Sequence, residues 1–151
     1  MLDELERARL FRPVEDALAV AEHNIREYKL EGRVNPIESD LYENVPFKKY
    51  DIIVTNPPYV NSDSMRKLPP EYLREPQIAL AGGEDGMDLV RKIVAGAAER
   101  LTPEGFLIVE IGNEREYAEA AFGDLGLTWL TTSTGDDAVF LLTAEQLQNA
   151  Q

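Results

Sequence analysis

The sequence has no cysteine and only one histidine, His23. Without thiols there can be no disulfides and no thiolate metal sites, and a lone imidazole excludes a multi-histidine centre, so no metal site is expected. No apolar run approaches the roughly 20 residues that a membrane helix needs. The N-terminus lacks a signal-peptide pattern, so the expectation is a cytoplasmic protein without a membrane partner. Basic residues are scarce: 15 Lys and Arg stand against 28 Asp and Glu, for a formal net charge of −13. Such a surface repels a phosphate backbone and attracts basic partners. It argues against a DNA substrate, although charge of this size also serves general solubility. Gly82-Gly83 permits a tight turn, but no lysine or serine follows at the spacing of a phosphate cradle. The 151 residues are 44% hydrophobic, enough for one domain with a genuine core.

The most informative stretch is Asp51-Ile52-Ile53-Val54-Thr55-Asn56-Pro57-Pro58-Tyr59. A short β-branched run suggests a strand buried on both faces of a parallel sheet. Proline has a fixed φ and no N–H, so Pro57 and Pro58 must end that strand. Asn56, preceding a proline, is pushed toward extended geometry. The stiff corner therefore lies beyond a strand's carboxyl end, where open α/β sheets bind ligands. Asn56 Oδ1 and the Pro57 carbonyl are two fixed acceptors, which suit the two N–H bonds of a planar –NH2 group. Tyr59 offers a flat face to stack on it. A conjugated nitrogen is a poor nucleophile, so holding it toward an electrophile is catalysis by orientation. The competing reading is an ordinary turn, since Asn and Pro are common there.

Around this corner the chain alternates helices and strands. Leu18, Ala21, Ile25 and Tyr28 recur at helical spacing, with Gly32 placed to close that helix. His23 on this helix reads as a surface or packing residue. Val34 to Glu38 reads as a short strand ending near Asp40. The long polar stretch from Asn61 to Glu75 reads as a lid. Asp85 can cap a helix whose apolar face runs from Leu89 to Leu101 and which Pro103 and Gly105 end. Phe106 to Gly112 is a second buried strand, with Glu110 requiring a partner or an open crevice. Glu114 to Phe122 is a helix with Tyr117, Ala118, Ala121 and Phe122 inward. Leu127 to Thr131 and Ala138 to Leu142 form an antiparallel hairpin across Gly135-Asp136-Asp137. The residues from Glu145 are polar and are expected to fray.

Asn-Pro-Pro-Tyr after an apolar strand resembles the motif of S-adenosylmethionine-dependent amino-methyltransferases. Two branches carry it, the protein glutamine-N(5) methyltransferases and the adenine-N(6) or cytosine-N(4) nucleic-acid enzymes. Glu71-Tyr72-Leu73-Arg74-Glu75-Pro76 and Ala79-Leu80-Ala81-Gly82-Gly83-Glu84-Asp85-Gly86 resemble the glutamine branch. Thr128-Trp129-Leu130 with Gly135 to Thr143 resembles the subgroup acting on large-subunit ribosomal protein number three. The resemblance implies a Rossmann-like α/β fold, its mostly parallel sheet closed by a C-terminal antiparallel hairpin. It implies a basic ribosomal protein as substrate and S-adenosylmethionine as methyl donor. Asn56, Pro57 and Tyr59 would be catalytic, holding the amide with Pro58 and Glu75. Asp40 would contact the cofactor adenine, unless it is a turn residue, and Asn56 would also face the cofactor. Glu110 would lie near the site, unless it is half of a structural ion pair.

The resemblance covers residues 14 to 144, leaving 1–13 as a segment outside the family pattern and 145–151 as a tail. The family's first strand and glycine-rich loop are missing before Val14, and Arg12 stands where an acidic residue would bind the ribose. The expectation is a partial fold, with strands at 51–55, 105–111, 127–131 and 138–142. Cofactor affinity is expected to be weak, and the exposed edge at 51–55 invites a homo-oligomer. The alternatives are an adenine-N(6) nucleic-acid methyltransferase and a non-catalytic oligomeric fragment.

Overall fold

A computed structural model describes residues 17–59, 83–133 and 138–149. The lid expected over 61–75, with Glu75, lies outside the described residues, as do the 1–13 segment, Arg12 and the Gly135–Asp137 link. The chain divides into two compact units, Met1–Pro46 and Phe47–Gln151.

In the first unit, helix α1 occupies 17–27. The Leu30 N–H donates to Ile25 O (2.8 Å) and the Lys29 N–H to Arg26 O (3.1 Å). This is the paired C-terminal pattern that satisfies a helix's last carbonyls. Lys29, at φ 55°, takes the left-handed position, and Gly32, at φ 78°, serves the next turn. The left-handed closing position thus falls at Lys29, three residues before the glycine expected to take it. Residues 34–39 form no strand, and Val34 and Ile37 are each 44% exposed. An extended segment becomes a strand only with a neighbour to receive its N–H and C=O groups, and none among the described residues pairs with it. A turn follows, tied by Ser39 Oγ, which accepts from the Asn44 N–H (2.9 Å) and donates to Leu41 O (3.0 Å).

The second unit contains β1 (Tyr50–Thr55), α2 (Asp88–Ala97), β2 (Leu101–Glu110), α3 (Arg115–Phe122), β3 (Thr128–Leu130), β4 (Val139–Thr143) and α4 (Ala144–Asn149). The sheet order is β1-β2-β4-β3. β1 and β2 run parallel, while β4 is antiparallel to both β2 and β3. Three of the four strands therefore point the same way and β4 alone is reversed. This agrees with a partial Rossmann-like sheet closed by an antiparallel hairpin, and β4 inserts between β2 and β3.

Helix α2 stops at Ala97, and Leu101 already belongs to β2, so the expected helix is shorter and the strand longer. Its Val90, Ile93, Val94 and Ala97 are buried, as an amphipathic helix on a sheet requires. On α3 only Ala118 and Phe122 are buried, and Tyr117 is turned outward, 40% exposed. One face of the sheet is fully packed: Leu107, Val109, Phe140 and Leu142 are each 0% exposed. On β1, Ile52 is 50% and Val54 69% exposed. The run is not buried on both faces as expected; among the described residues, the helices pack on the opposite face.

The last residues are not a frayed tail. Ala144 and Leu147 of α4 are buried, and the helix packs on β2 and touches α2. Gln146 explains why so short a helix holds. Its Oε1 accepts from the Thr143 N–H (2.8 Å) and hydroxyl (3.0 Å), while the Gln146 N–H donates to Thr143 Oγ1 (3.2 Å). This is a reciprocal capping box. Its Nε2 also donates to Leu125 O (3.1 Å) and Gly126 O (2.6 Å), binding α4 to the turn before β3. Gln146→Ala removes the bonds made by the Gln146 side chain, leaving its backbone N–H on Thr143 Oγ1, and is expected to cost about 2 kcal/mol in urea unfolding. Leu147→Gln, which leaves the cap intact, tests packing separately.

Candidate functional site

The parallel register of β1 and β2 ends at Thr55↔Val109. The next residues, Asn56 and Glu110, therefore sit at the carboxyl ends of neighbouring strands. The sequence folds this way because Pro57 and Pro58 stop β1 while β2 turns at Gly112. Asn56 is exposed, Pro57 is buried, and Pro58 and Tyr59 are half-buried. A buried Pro57 anchors the corner, and the amide residue before it stays on the surface.

Tyr59 folds back onto the end of β2. Its hydroxyl donates to Glu110 Oε1 at 3.3 Å. The same oxygen accepts from the Gly112 N–H at 3.0 Å. Gly112 has φ 52°, a left-handed conformation that side chains disfavour. A Cβ there would stand 2.6 Å from Tyr59 Cε2 and 2.8 Å from Cζ and Oη. The hydroxyl end of the ring thus lies close against bare backbone. Glu110 Oε2 is shielded from solvent and has no hydrogen-bond partner among the described residues. No lysine or arginine among the described residues pairs with Glu110, so the ion-pair alternative has no support there. Sequence reasoning placed Glu110 near the corner but missed Gly112, whose signal was a glycine two residues after an acidic strand end.

Asp40 is exposed within the turn of the first unit, where its carbonyl accepts from the Glu43 N–H at 3.1 Å. Its carboxylate is accessible, as is Asn56, and either can accept a hydrogen bond from a ligand. The described residues include no glycine-rich strand-to-helix loop that could cradle the methionine end of S-adenosylmethionine. They fit a planar amide at the Asn56 corner better than they fit the whole cofactor.

Asp85 does not cap α2 directly. Its Oδ1 accepts from the N–H of Met87, the residue immediately before the helix, at 2.9 Å, and its carboxylate is forked by Arg91. The Arg91 guanidinium holds the Asp85 carboxyl below the usual carboxylate range, and Asp85 in turn raises Arg91. This clasp fixes the Gly83-Glu84-Asp85-Gly86 turn onto the first turn of α2. An open cavity of about 430 Å³, lined by Asp51, Ile52, Thr102, Pro103, Glu104 and Phe106, lies at the opposite, amino-terminal end of β1. Among the described residues no helix is long and apolar enough to cross a membrane.

Comparison with known proteins agrees with this geometry. The family model described as "Methyltransferase small domain" matches residues 7–132. The chain is 53% identical over 132 residues to a protein of Bordetella pertussis named ribosomal protein uL3 glutamine methyltransferase, covering 87% of this chain and 44% of that protein. A protein of the same name from Burkholderia pseudomallei is 53% identical over 139 residues, covering 87% and 45%. One from Francisella tularensis is 44% identical over 133 residues, covering 88% and 42%. The chain thus spans less than half the length of the relatives it matches. A family model that matches most of the chain, on a sheet ending in this corner, settles its membership: the chain belongs to the methyltransferase small domain family.

Proposed function

We propose that this chain is the amide-holding, C-terminal part of a protein-glutamine N(5)-methyltransferase whose substrate is a ribosomal protein. The observation that carries the reading is the corner itself, with Asn56 exposed at the end of β1 over a buried Pro57. Asn56 Oδ1 and the Pro57 carbonyl accept the two N–H bonds of a glutamine side chain, and the Tyr59 ring covers its π face. When bound, S-adenosylmethionine supplies an electrophilic methyl group. The protein's part is to fix the nitrogen's orientation and to exclude other nucleophiles. The formal charge of −13 favours a basic protein substrate over a nucleic acid. The relatives' names point to uL3 as that substrate. We place the enzyme in the cytoplasm, where ribosomal proteins are modified. Asp40 and Asn56 are the cofactor-facing residues of the reading, and affinity of this chain for S-adenosylmethionine is weaker than micromolar.

The test separates recognition from turnover. The full chain is titrated by NMR with overlapping uL3 peptides that contain glutamine, and with the same peptides carrying glutamate. Glutamate lacks the two donors, so its peptides are expected to bind at least tenfold more weakly. Asn56→Ala is expected to erase the difference. Equal binding of both sets, or preference for an adenine-bearing oligonucleotide, overturns the reading. Calorimetric titration with S-adenosylmethionine that gives micromolar affinity overturns the expected weakness. Among the described residues β1 ends the sheet, and its exposed Ile52 and Val54 favour association with a second copy. Light scattering is expected to give a dimer mass that Val54→Lys returns to a monomer.

A further inference from the structure

We propose that Glu110 is a positioning residue: it acts through Tyr59, setting the plane of the ring that covers the substrate amide. The inference rests on the reading of the corner as an amide site. Three observations carry it. The Tyr59 hydroxyl donates to Glu110 Oε1, and the Gly112 N–H fixes that same oxygen. The positive φ of Gly112 brings bare backbone against the ring, so its Cε2–Cζ–Oη edge is limited by Gly112 and its hydroxyl by Glu110. The second carboxylate oxygen, Oε2, is buried without a partner among the described residues.

The third observation separates positioning from packing. A buried acceptor without a partner is costly, and an apolar residue at the end of β2 would avoid that cost. A carboxylate persists here because it does something an apolar side chain cannot, namely accept the phenol and the Gly112 amide at once. The 3.3 Å hydroxyl contact is long for an O–H···O bond. Hydrogen bonds that serve a site are often loose without ligand and tighten in the complex. Glu110 and Gly112 together hold the hydroxyl end of the ring, and amide binding is expected to draw the contact shorter. The sequence separates Tyr59 from Glu110, and the parallel β1–β2 pairing brings them together.

The test reads the ring directly and needs no methyl transfer. The full chain, with its six tyrosines labelled at the ring carbons, is observed by NMR, and Tyr59 is assigned by the signal lost in Tyr59→Phe. In Glu110→Ala the Tyr59 resonance is expected to move toward its free-tyrosine position and the ring to flip at least tenfold faster. The other five tyrosines stay in place. Should Glu110→Ala fail to fold, Glu110→Gln keeps the volume and an acceptor while removing the charge. It is expected to shift the Tyr59 signal in the same direction by less. A Tyr59 signal and flip rate unchanged in a folded Glu110 variant overturn the proposal. The peptide titration is run on the same samples. If wild-type protein binds no glutamine peptide while Tyr59 responds to Glu110, the amide reading fails and the positioning contact stands. If the peptide binds and Tyr59 ignores Glu110, the reverse holds.

Discussion

Phe140→Ala is expected to be the most destabilising single substitution in the second unit, with a loss of about 3–5 kcal/mol. Phe140 lies at the centre of β4, paired with Val109 of β2 on one side and Trp129 of β3 on the other. It is 0% exposed, its ring centroid is 5.7 Å from Trp129 at a near-perpendicular 74°, and it is 6.2 Å from Phe122 of α3. Alanine removes the ring that joins three strands to a helix and leaves a cavity among residues already in fixed positions. The strands cannot close it, because their spacing is set by the β2–β4 and β3–β4 ladders. A domain is typically stable by only about 5–15 kcal/mol, so the variant should sit near the edge of folding. Trp129 is the only tryptophan and reports locally. Its fluorescence should give a much lower urea midpoint for Phe140→Ala, while Phe140→Leu should lose less than half as much. An Ala variant within 1 kcal/mol of wild type, as a rough bound, would show that β4 is not the centre of the core.

The elements that define the sheet were legible because each is a short apolar run with a turn signal at its end. Ile52 to Thr55, Phe106 to Glu110 and Val139 to Leu142 all lie in strands where the hydrophobic pattern puts them. Where the pattern failed, the deciding contact was long-range or polar. Thr143-x-x-Gln146 carries a capping-box signature, but the polar residues around it read as tail. The anchoring bonds to Leu125 and Gly126 come from a turn far away in sequence. Lys29 took the left-handed position before Gly32 because the helix's hydrogen bonds end there, whatever residue is present. Val34 to Glu38 had strand-like composition and no partner among the described residues. Ile52 and Val54 had the composition of a doubly buried strand, yet composition does not say which layers are present. The corner was readable from Asn56, Pro57, Pro58 and Tyr59 because proline geometry is local. The Tyr59–Glu110–Gly112 contact was not, since it arises only when β1 and β2 align. Glu75 lies outside the described residues, and the roles of Asp40 and Asn56 toward the cofactor remain proposals.

Gly112→Ala is expected to disturb the site more than any substitution outside the corner itself. Two separate costs arise. An L side chain at φ 52° is strained by about 1–2 kcal/mol. The new Cβ would then meet Tyr59 Cε2 at 2.6 Å, well inside contact distance, so either the ring or the strand end must move. Tyr59 is half-buried, whereas Ile111, just before the glycine, is 0% exposed and its N–H donates to Ala138 O at 2.8 Å. The ring should therefore yield first, leaving Glu110 Oε1. The expected results are a total loss of about 2–3 kcal/mol and at least tenfold weaker binding of glutamine peptides. A double-mutant cycle divides the two costs. In a Tyr59→Ala background there is no ring to strike, so Gly112→Ala should cost only the backbone strain. If it costs the same with and without the ring, Tyr59 does not rest on Gly112 in solution. The clamp that holds the ring would then have lost one of its two jaws.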